Sequence, residues 1–211
     1  MSDSDSDDKG FLISIEGIDG AGKSTQINML RQWMQDKKIE NVILKEPTTG
    51  QYGREIARRA IAHELTSPEE ELRLFMEDRK EDVKKNILPA LRSGKVVVMD
   101  RYYQSNIAYQ GARGLDPRQI REENEQFSPR PDLVIVLDID PAKGLSRIVN
   151  QRKSQLDAFE KEEYLRKVRD IFLDIGRQPN GVVISAEQST ERVHEAIVKA
   201  IEERLPAHFF K

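Results

Sequence analysis

The sequence predicts an α/β protein in which a five-stranded parallel sheet forms the middle of three layers, with helices on both faces. Two observations carry this prediction. Short apolar runs recur along the chain, and each is followed by a longer segment with apolar residues at helical spacing. The apolar runs are nearly continuous rather than alternating, which is typical of parallel strands buried on both faces.

Each predicted strand is a short apolar run bounded by polar or turn-forming residues. The five runs cover residues 11–15, 41–45, 95–100, 132–138 and 182–184. Parallel strands end at a common edge of the sheet, and ligands of such sheets bind outside that edge. The residues that directly follow the strands are therefore the first candidates for a functional site.

The predicted helices lie between these strands. They cover residues 24–36, 53–64, a stretch from Ser67 to the neighbourhood of Pro89, 105–110, 117–127, a segment from Asp140, 159–177 and 191–205. Ser67 and Pro68, followed by acidic residues, form a strong helix-start signal. The segment 151–157 is polar and has no apolar face, so we expect a mobile loop there.

A glycine-rich loop follows the first strand. From Gly17 to Ser24 the chain reads G-x-x-x-x-G-K-S between a strand and a helix, which predicts binding of nucleoside triphosphate phosphates. Glycines let backbone N–H groups approach phosphate oxygens, and the new helix adds its positive end. Lys23 suits the β- and γ-phosphates, and the Ser24 hydroxyl suits Mg²⁺. The residues predicted to contact the triphosphate here are Gly17, Asp19, Gly20, Ala21, Gly22, Lys23, Ser24 and Thr25.

Further charged residues fit phosphoryl transfer, which depends on positioning and charge neutralisation. Asp100 ends the third strand and is predicted to hold a magnesium-bound water. Arg101 follows it and is predicted to bridge the donated phosphoryl group and an acceptor anion; an ion pair that only ties two elements is the alternative. Arg152 and Lys153 lie in the predicted loop, which could close over the phosphates and exclude water. A solvated charged loop is the alternative.

Candidate acceptor residues lie on two predicted helices. Phe75 and Arg79 are four residues apart and share one helix face, which suits a flat base with a carbonyl edge. Core packing with a surface salt bridge is the alternative interpretation. Asn106 and Tyr109 follow Arg101 closely and offer an amide and a phenol near the same place.

Composition narrows the class of protein. The net charge is −3 across 211 residues, which argues against a dedicated nucleic-acid binder. The chain has no cysteine, which excludes disulfides and thiolate chemistry and leads us to expect a cytoplasmic protein. No apolar run approaches 18 residues, so we expect no membrane span. Residues 1–9 are acidic and are expected to form a disordered tail before a single domain at 10–211.

Nearly the whole chain resembles the thymidylate kinase family. The resemblance rests on segments 11–26, 45–50, 72–79, 100–111, 132–148 and 157–160, and the segment DRYYQSNIAYQG at 100–111 is the most specific. It implies a three-layer P-loop kinase fold with a lid loop near residues 150–158. It also implies transfer of the γ-phosphoryl group of ATP to dTMP with Mg²⁺, giving dTDP and ADP in dTTP synthesis, and a homodimer.

The resemblance also implies roles for individual residues. Phe75 would stack on thymine, and Arg79 would bond the base carbonyl. Asn106 would read the ring, Arg101 would grip the acceptor phosphate, and Tyr109 would lie against the sugar and favour deoxyribose. The acceptor-site residues expected in this way are Asp19, Glu46, Phe75, Arg79, Arg101, Ser105, Asn106, Tyr109 and Gln110.

On the donor side, the resemblance places Arg147 and the backbone near Ala186 beside adenine and brings Asp19 near the acceptor 3′-hydroxyl. Gly20 stands where one group of the family has an arginine, so the chain resembles the group with a lid arginine. The lid pattern D-R-F-E reads D-A-F-E at 157–160, however. The catalytic cation is therefore expected from Arg152, Lys153 or Arg147, and the sequence does not rank them.

Two other functions fit the phosphate loop. One is a P-loop kinase for another deoxynucleotide or small anion, for which Phe75, Asn106 and Tyr109 together would have no evident use. The other is a GTPase-type switch, but the chain has no N-K-x-D segment to read guanine.

Overall fold

The computed structural model describes residues 10–62, 64, 67–148 and 155–210. The predicted acidic tail at 1–9 and the two candidate lid cations Arg152 and Lys153 lie outside the described residues. None of the described helices combines the length and the apolar composition that a membrane crossing requires.

Five parallel strands form one sheet with the order β2-β3-β1-β4-β5. The strands are β1 (Phe11–Glu16), β2 (Asn41–Lys45), β3 (Val96–Asp100), β4 (Leu133–Asp138) and β5 (Gly181–Ser185). All five predicted strands are confirmed to within one residue at each end. The central strands β1 and β3 are buried along their full length, as their apolar composition predicts.

Helices surround the sheet and confirm the predicted α/β architecture. They are α1 (Lys23–Asp36), α2 (Gln51–Ala62), α3 (Pro68–Asp82), α4 (Leu88–Arg92), α5 (Tyr103–Gly111), α6 (Pro117–Glu125), α7 (Pro141–Ile148), α8 (Gln155–Gly176) and α9 (Thr190–Glu202). The start signal at Ser67 is confirmed, because its side chain accepts a hydrogen bond from the Glu70 N–H. This contact satisfies one of the free N–H groups at the start of α3.

Most helix boundaries differ from the prediction by up to three residues, and two differences concern the path of the chain. The chain does not leave the helical path at Pro89, because a π-helical turn at Val83–Ile87 joins α3 to α4. Pro89 has no N–H to donate, and it lies just after this π-helical turn, where the ladder of i→i−4 hydrogen bonds is already interrupted. Helix α8 begins at Gln155, so the last residues of the predicted loop are helical. Leu156 and Phe159 are three residues apart in the sequence and extend the helical spacing of apolar residues to that point.

The strand register brings the predicted site segments to one edge. Ile15 of β1 and Lys45 of β2 both pair with Asp100 of β3. The loop after β1, the loop after β2 and the start of the segment after β3 therefore leave the sheet at the same level. This is the arrangement that the parallel sheet predicts for ligand-binding segments.

Candidate active site

The glycine-rich loop has the backbone conformation that its sequence predicts. Gly17, Gly20 and Gly22 have φ angles of +138°, +83° and +86°. Residues with a side chain rarely adopt these φ angles, whereas glycine adopts them at little energetic cost. Gly22 precedes the first residue of α1, Lys23. The loop and the first turn of α1 form one wall of a cavity of about 890 Å³, which we call the donor cavity.

The structure brings nine of the ten predicted triphosphate- and adenine-contacting residues to the donor cavity. These are Asp19, Gly20, Ala21, Gly22, Lys23, Ser24, Thr25, Arg147 and Ala186. The tenth, Gly17, does not line the cavity and packs against β4. A Cβ at Gly17 would lie 2.5 Å from the Leu137 carbonyl oxygen, so only glycine fits between the loop and β4.

Lys23 is buried and folds back over the loop. Its Nζ donates hydrogen bonds to the carbonyl oxygens of Gly17 at 3.0 Å and Ile18 at 2.9 Å. Burial, and then the charge of Arg101, lower the pKa of Lys23 to about 7. A phosphate beside the ammonium group would favour its charged form. An anion bound at the loop would therefore reduce the repulsion between Lys23 and Arg101.

Helix α7 packs so closely on the loop that both sides need glycine. A Cβ at Gly20 would lie 2.2 Å from the Gly144 carbonyl oxygen, and a Cβ at Gly144 would lie 2.8 Å from the Asp19 carbonyl oxygen. An arginine at position 20 is therefore incompatible with this packing. Arg147 of α7 adds to the contact by donating to the carbonyl oxygens of Gly20 at 3.1 Å and Ala186 at 3.3 Å.

The two predicted magnesium ligands face the donor cavity. Asp100 is buried at the end of β3, and its Oδ2 lies 3.5 Å from the Nζ of Lys45. Ser24 lies in the first turn of α1 and is exposed to the cavity. Carboxylate and hydroxyl oxygens suit Mg²⁺, which usually takes one or two protein ligands together with substrate phosphates and water. The residues present fit the ion.

A second cavity of about 690 Å³, which we call the acceptor cavity, lies next to the first. All nine residues predicted for the acceptor line it: Asp19, Glu46, Phe75, Arg79, Arg101, Ser105, Asn106, Tyr109 and Gln110. The sequence did not single out six others, namely Pro47, Glu71, Tyr102, Arg113, Lys161 and Tyr164. The acceptor cavity is thus built from the loops after β1 and β2, the segment after β3, and helices α3, α5 and α8.

Arg79 and Glu46 form a buried ion pair at the floor of the acceptor cavity. Their side chains are 1% and 3% exposed, so the alternative of a surface salt bridge is wrong. The Arg79 Nε lies 2.9 Å from Glu46 Oε2, and its Nη1 donates to Asn124 Oδ1. These bonds, with a second one to Glu46, use three of the five N–H groups of the guanidinium. The other two have no hydrogen-bond partner among the described residues.

A chain of hydrogen bonds fixes the orientation of the Asn106 amide. Gln110 Nε2 donates to the Glu71 carboxylate at 2.9 Å, and Asn106 Nδ2 donates to Gln110 Oε1 at 3.0 Å. An ionised carboxylate can only accept, so each amide must point its NH₂ group toward Glu71. Asn106 Oδ1 is then left as a buried acceptor with no partner among the described residues. Such an atom costs about 1–3 kcal/mol unless a ligand N–H satisfies it.

Arg101 lies where the two cavities meet. Its backbone has a φ of +69°, which is uncommon for a residue with a side chain. Its guanidinium pairs with Asp19 at 2.5 Å, donates to Ser105 Oγ at 3.1 Å and lies 5.2 Å from the centre of the Tyr109 ring. The predicted ion pair is therefore present, and it lies within the site rather than away from it.

Glu16 supports Arg101 and was missed in the sequence. Its buried carboxylate accepts hydrogen bonds from Ser14 Oγ at 2.6 Å, Ser105 Oγ at 2.7 Å and the Tyr102 N–H at 2.8 Å. Burial raises the pKa of Glu16, and these hydrogen bonds oppose that rise. Two of the three donors belong to the segment that carries Arg101. The signal in the sequence was an acid within a strand that is otherwise almost entirely apolar.

Comparison with known proteins agrees with this geometry. The sequence profile of the family described as thymidylate kinase matches residues 15–197. A probable thymidylate kinase from Archaeoglobus fulgidus is 48% identical over 91% of this chain and 95% of its own length. A thymidylate kinase from Akkermansia muciniphila is 46% identical over 94% of each chain.

A solved structure gives the same result. The crystal structure of thymidylate kinase from Ehrlichia chaffeensis superposes with a TM-score of 0.74 at 26% identity, covering 92% of this chain and 99% of that one. The family resemblance predicted from the sequence is confirmed, as is the P-loop kinase fold. The chain belongs to the thymidylate kinase family.

Proposed function

We propose that the protein transfers the γ-phosphoryl group of ATP to dTMP and releases dTDP and ADP. The observation that carries this proposal is that two cavities share Arg101 at their junction. One cavity has the phosphate loop, and the other has a buried arginine and an amide with an unsatisfied acceptor. Two nucleotides bound in these cavities would bring their phosphates together at Arg101.

ATP would occupy the donor cavity with its phosphates on the loop and on Lys23. Arg147 lies beside Ala186, which fits the adenine side of that cavity. Ser24 and Asp100 would hold Mg²⁺ together with the phosphates, and the ion would supply charge neutralisation when bound.

The acceptor cavity favours thymine by hydrogen-bond polarity. Thymine has a donor at N3 and carbonyl oxygens on either side of it. Asn106 Oδ1 offers the acceptor that N3–H needs, and Arg79 offers N–H groups for a carbonyl oxygen. Phe75 is half-buried at the wall and provides an aromatic face. Cytosine has an acceptor at N3, so it would place two acceptors against each other.

The transfer itself needs no general base. The phosphate of dTMP is largely dianionic at neutral pH, since its second pKa is near 6. One of its oxygens attacks the γ-phosphorus, and the bond from that phosphorus to the β–γ bridging oxygen breaks, which leaves ADP. The residues that supply positive charge are Lys23 and Arg101, with a further cation from the lid side of the site. Their role is to overcome the repulsion between two anionic nucleotides.

An ADP-release assay with a panel of acceptors tests this function. We expect dTMP to give the highest kcat/KM among dTMP, dUMP, dCMP, AMP and UMP, and a far lower rate without an acceptor. Preference for a purine monophosphate would contradict the proposal. Selective GTP binding without phosphoryl transfer would favour the switch interpretation instead.

The homodimer implied by the resemblance stays a prediction, which sedimentation velocity at several concentrations tests.

A further inference from the structure

Lys161 lies at the junction of the two cavities. Among the described residues, three line both the donor and the acceptor cavity: Asp19, Arg101 and Lys161. Asp19 and Arg101 come from the loop after β1 and the segment after β3. Lys161 comes from the first half of α8, so it reaches the junction from a different part of the chain.

The positive charge of Lys161 has no ionic partner in the described part of the chain. Arg101 is paired with Asp19 at 2.5 Å. Lys161 is exposed, and no carboxylate among the residues that the structure describes pairs with it. The neighbouring cations of α8 differ in this respect, since Arg166 pairs with Glu162 and Lys167 pairs with Glu163. Lys161 is thus a cation with no described ionic partner at the place where two anionic ligands would meet.

Two contacts of α8 hold Lys161 at this position. Tyr164, one turn later on the same face of the helix, donates from its hydroxyl to the Tyr109 carbonyl oxygen at 3.0 Å. Arg169, about two turns after Lys161, makes a bidentate pair with Asp138 at 2.6 and 2.9 Å. These contacts fix the helix to α5 and to the end of β4. Lys161 therefore does not depend on a free loop for its placement.

Three other positions from which such a cation could come do not supply one. Gly20 is packed on Gly144, where no side chain fits. Arg147 donates to the carbonyl oxygens of Gly20 and Ala186 on the adenine side. Position 158, one turn before Lys161 in α8, is an alanine.

Resting on the function proposed above, we propose that Lys161 is a catalytic residue whose ammonium group contacts the phosphates of both nucleotides. There it would neutralise charge on the transferred phosphoryl group, next to Arg101. A cation that acts between two nucleotides stabilises the transition state more than either ground-state complex. Its removal should therefore affect kcat more than the KM for either substrate.

Steady-state kinetics of three variants tests the proposal. We expect Lys161→Ala to lower kcat roughly 10²-fold while the KM values for ATP and dTMP change by less than about fivefold. Lys161→Arg should recover most of the rate, because it restores the charge. The matched control is Lys167→Ala, which removes an exposed lysine of the same helix and should stay near wild type. A kcat for Lys161→Ala within about threefold of this control would overturn the proposal.

Binding of a two-site ligand gives a second readout. Adenosine and thymidine joined by five phosphates would span both cavities. We expect Lys161→Ala to weaken this ligand at least tenfold more than it weakens ADP or dTMP alone, with the melting temperature unchanged. Equal weakening of all three ligands would contradict a bridging role. A wild-type enzyme without dTMP kinase activity would instead overturn the proposed function, since the variants are judged relative to that activity.

Discussion

The donor and acceptor cavities are built in different ways. The donor cavity takes most of one wall from a continuous stretch, Asp19 to Gln26, whose glycines let the backbone approach the ligand. The acceptor cavity takes its walls from segments scattered along the chain and depends on side chains whose hydrogen bonds are fixed by other side chains. Phosphate needs N–H groups and positive charge, which a short loop can supply. A base needs hydrogen-bond donors and acceptors at defined positions. Side chains from distant segments, held by hydrogen bonds to one another, supply them here.

Arg101 lines both cavities, so its substitution should have the largest effect on activity. Arg101→Ala removes a cation shared by both cavities, and we expect it to lower kcat by about 10³-fold or more. Stopped-flow or coupled ADP-release kinetics measures this directly. Arg177→Ala removes an exposed arginine that pairs with Asp174 and serves as the control. A loss below tenfold would show that Arg101 mainly ties the phosphate loop to α5.

Asn106 tests the acceptor cavity alone. Asn106→Leu keeps the size of the side chain and removes the acceptor atom, so we expect kcat/KM for dTMP to fall about 10²-fold. The value for dCMP should fall much less, because cytosine has no N3–H to satisfy. Measuring both substrates on one preparation separates this effect from a loss of folded enzyme. An equal fall for dTMP and dCMP would show that Asn106 does not read the base.

Lys23 tests the donor cavity through pH. In the free enzyme, burial and Arg101 lower the pKa of Lys23 to about 7, and a bound triphosphate favours the charged form. Below pH 7 the ammonium is already charged, so Lys23 adds no pH dependence to ATP affinity there. Above pH 7 binding requires proton uptake, so affinity should fall by up to about tenfold per pH unit.

Calorimetry in buffers of different ionisation enthalpy measures the proton uptake of Lys23 directly. Lys23→Arg stays charged across the range, so it reports the contribution of ATP itself. A wild-type pH dependence equal to that of Lys23→Arg would contradict the assignment.

Glu71 should give the smallest effect and the finest test of the network. Glu71→Gln replaces a side chain that only accepts with one that can also donate, so the amides of Gln110 and Asn106 lose their fixed orientation. We expect the dTMP over dCMP preference to fall about fivefold, as for the loss of about 1 kcal/mol. Glu77→Gln is the matched control, since Glu77 lies in the same helix and pairs with Lys80. An unchanged preference would show that Asn106 is oriented in another way.

The sequence predicted the parts of the molecule that local patterns determine. The five strands, the phosphate loop and the cap at Ser67 follow from apolar runs, glycine spacing and helix-start residues. The family resemblance identified the acceptor residues. The sequence did not show which of these side chains donates a hydrogen bond to which.

The parts that were missed depend on contacts between distant segments. The close approach of Gly144 to Gly20 joins residues more than 100 positions apart, and it explains why position 20 has no side chain. The sequence did not single out Lys161, because only the packing of α8 on α5 shows that it faces both cavities. Glu16 carried a signal that could have been read, since an acid in a buried strand requires hydrogen-bond donors.

A crystal structure of the enzyme with dTMP and a non-hydrolysable ATP analogue would show directly whether the two nucleotides bind in the donor and acceptor cavities. We expect the triphosphate on Lys23 and the thymine in the acceptor cavity, with N3 about 2.7–3.2 Å from Asn106 Oδ1. A base that lies outside this cavity, or a thymine N3 that makes no contact with Asn106, would contradict it.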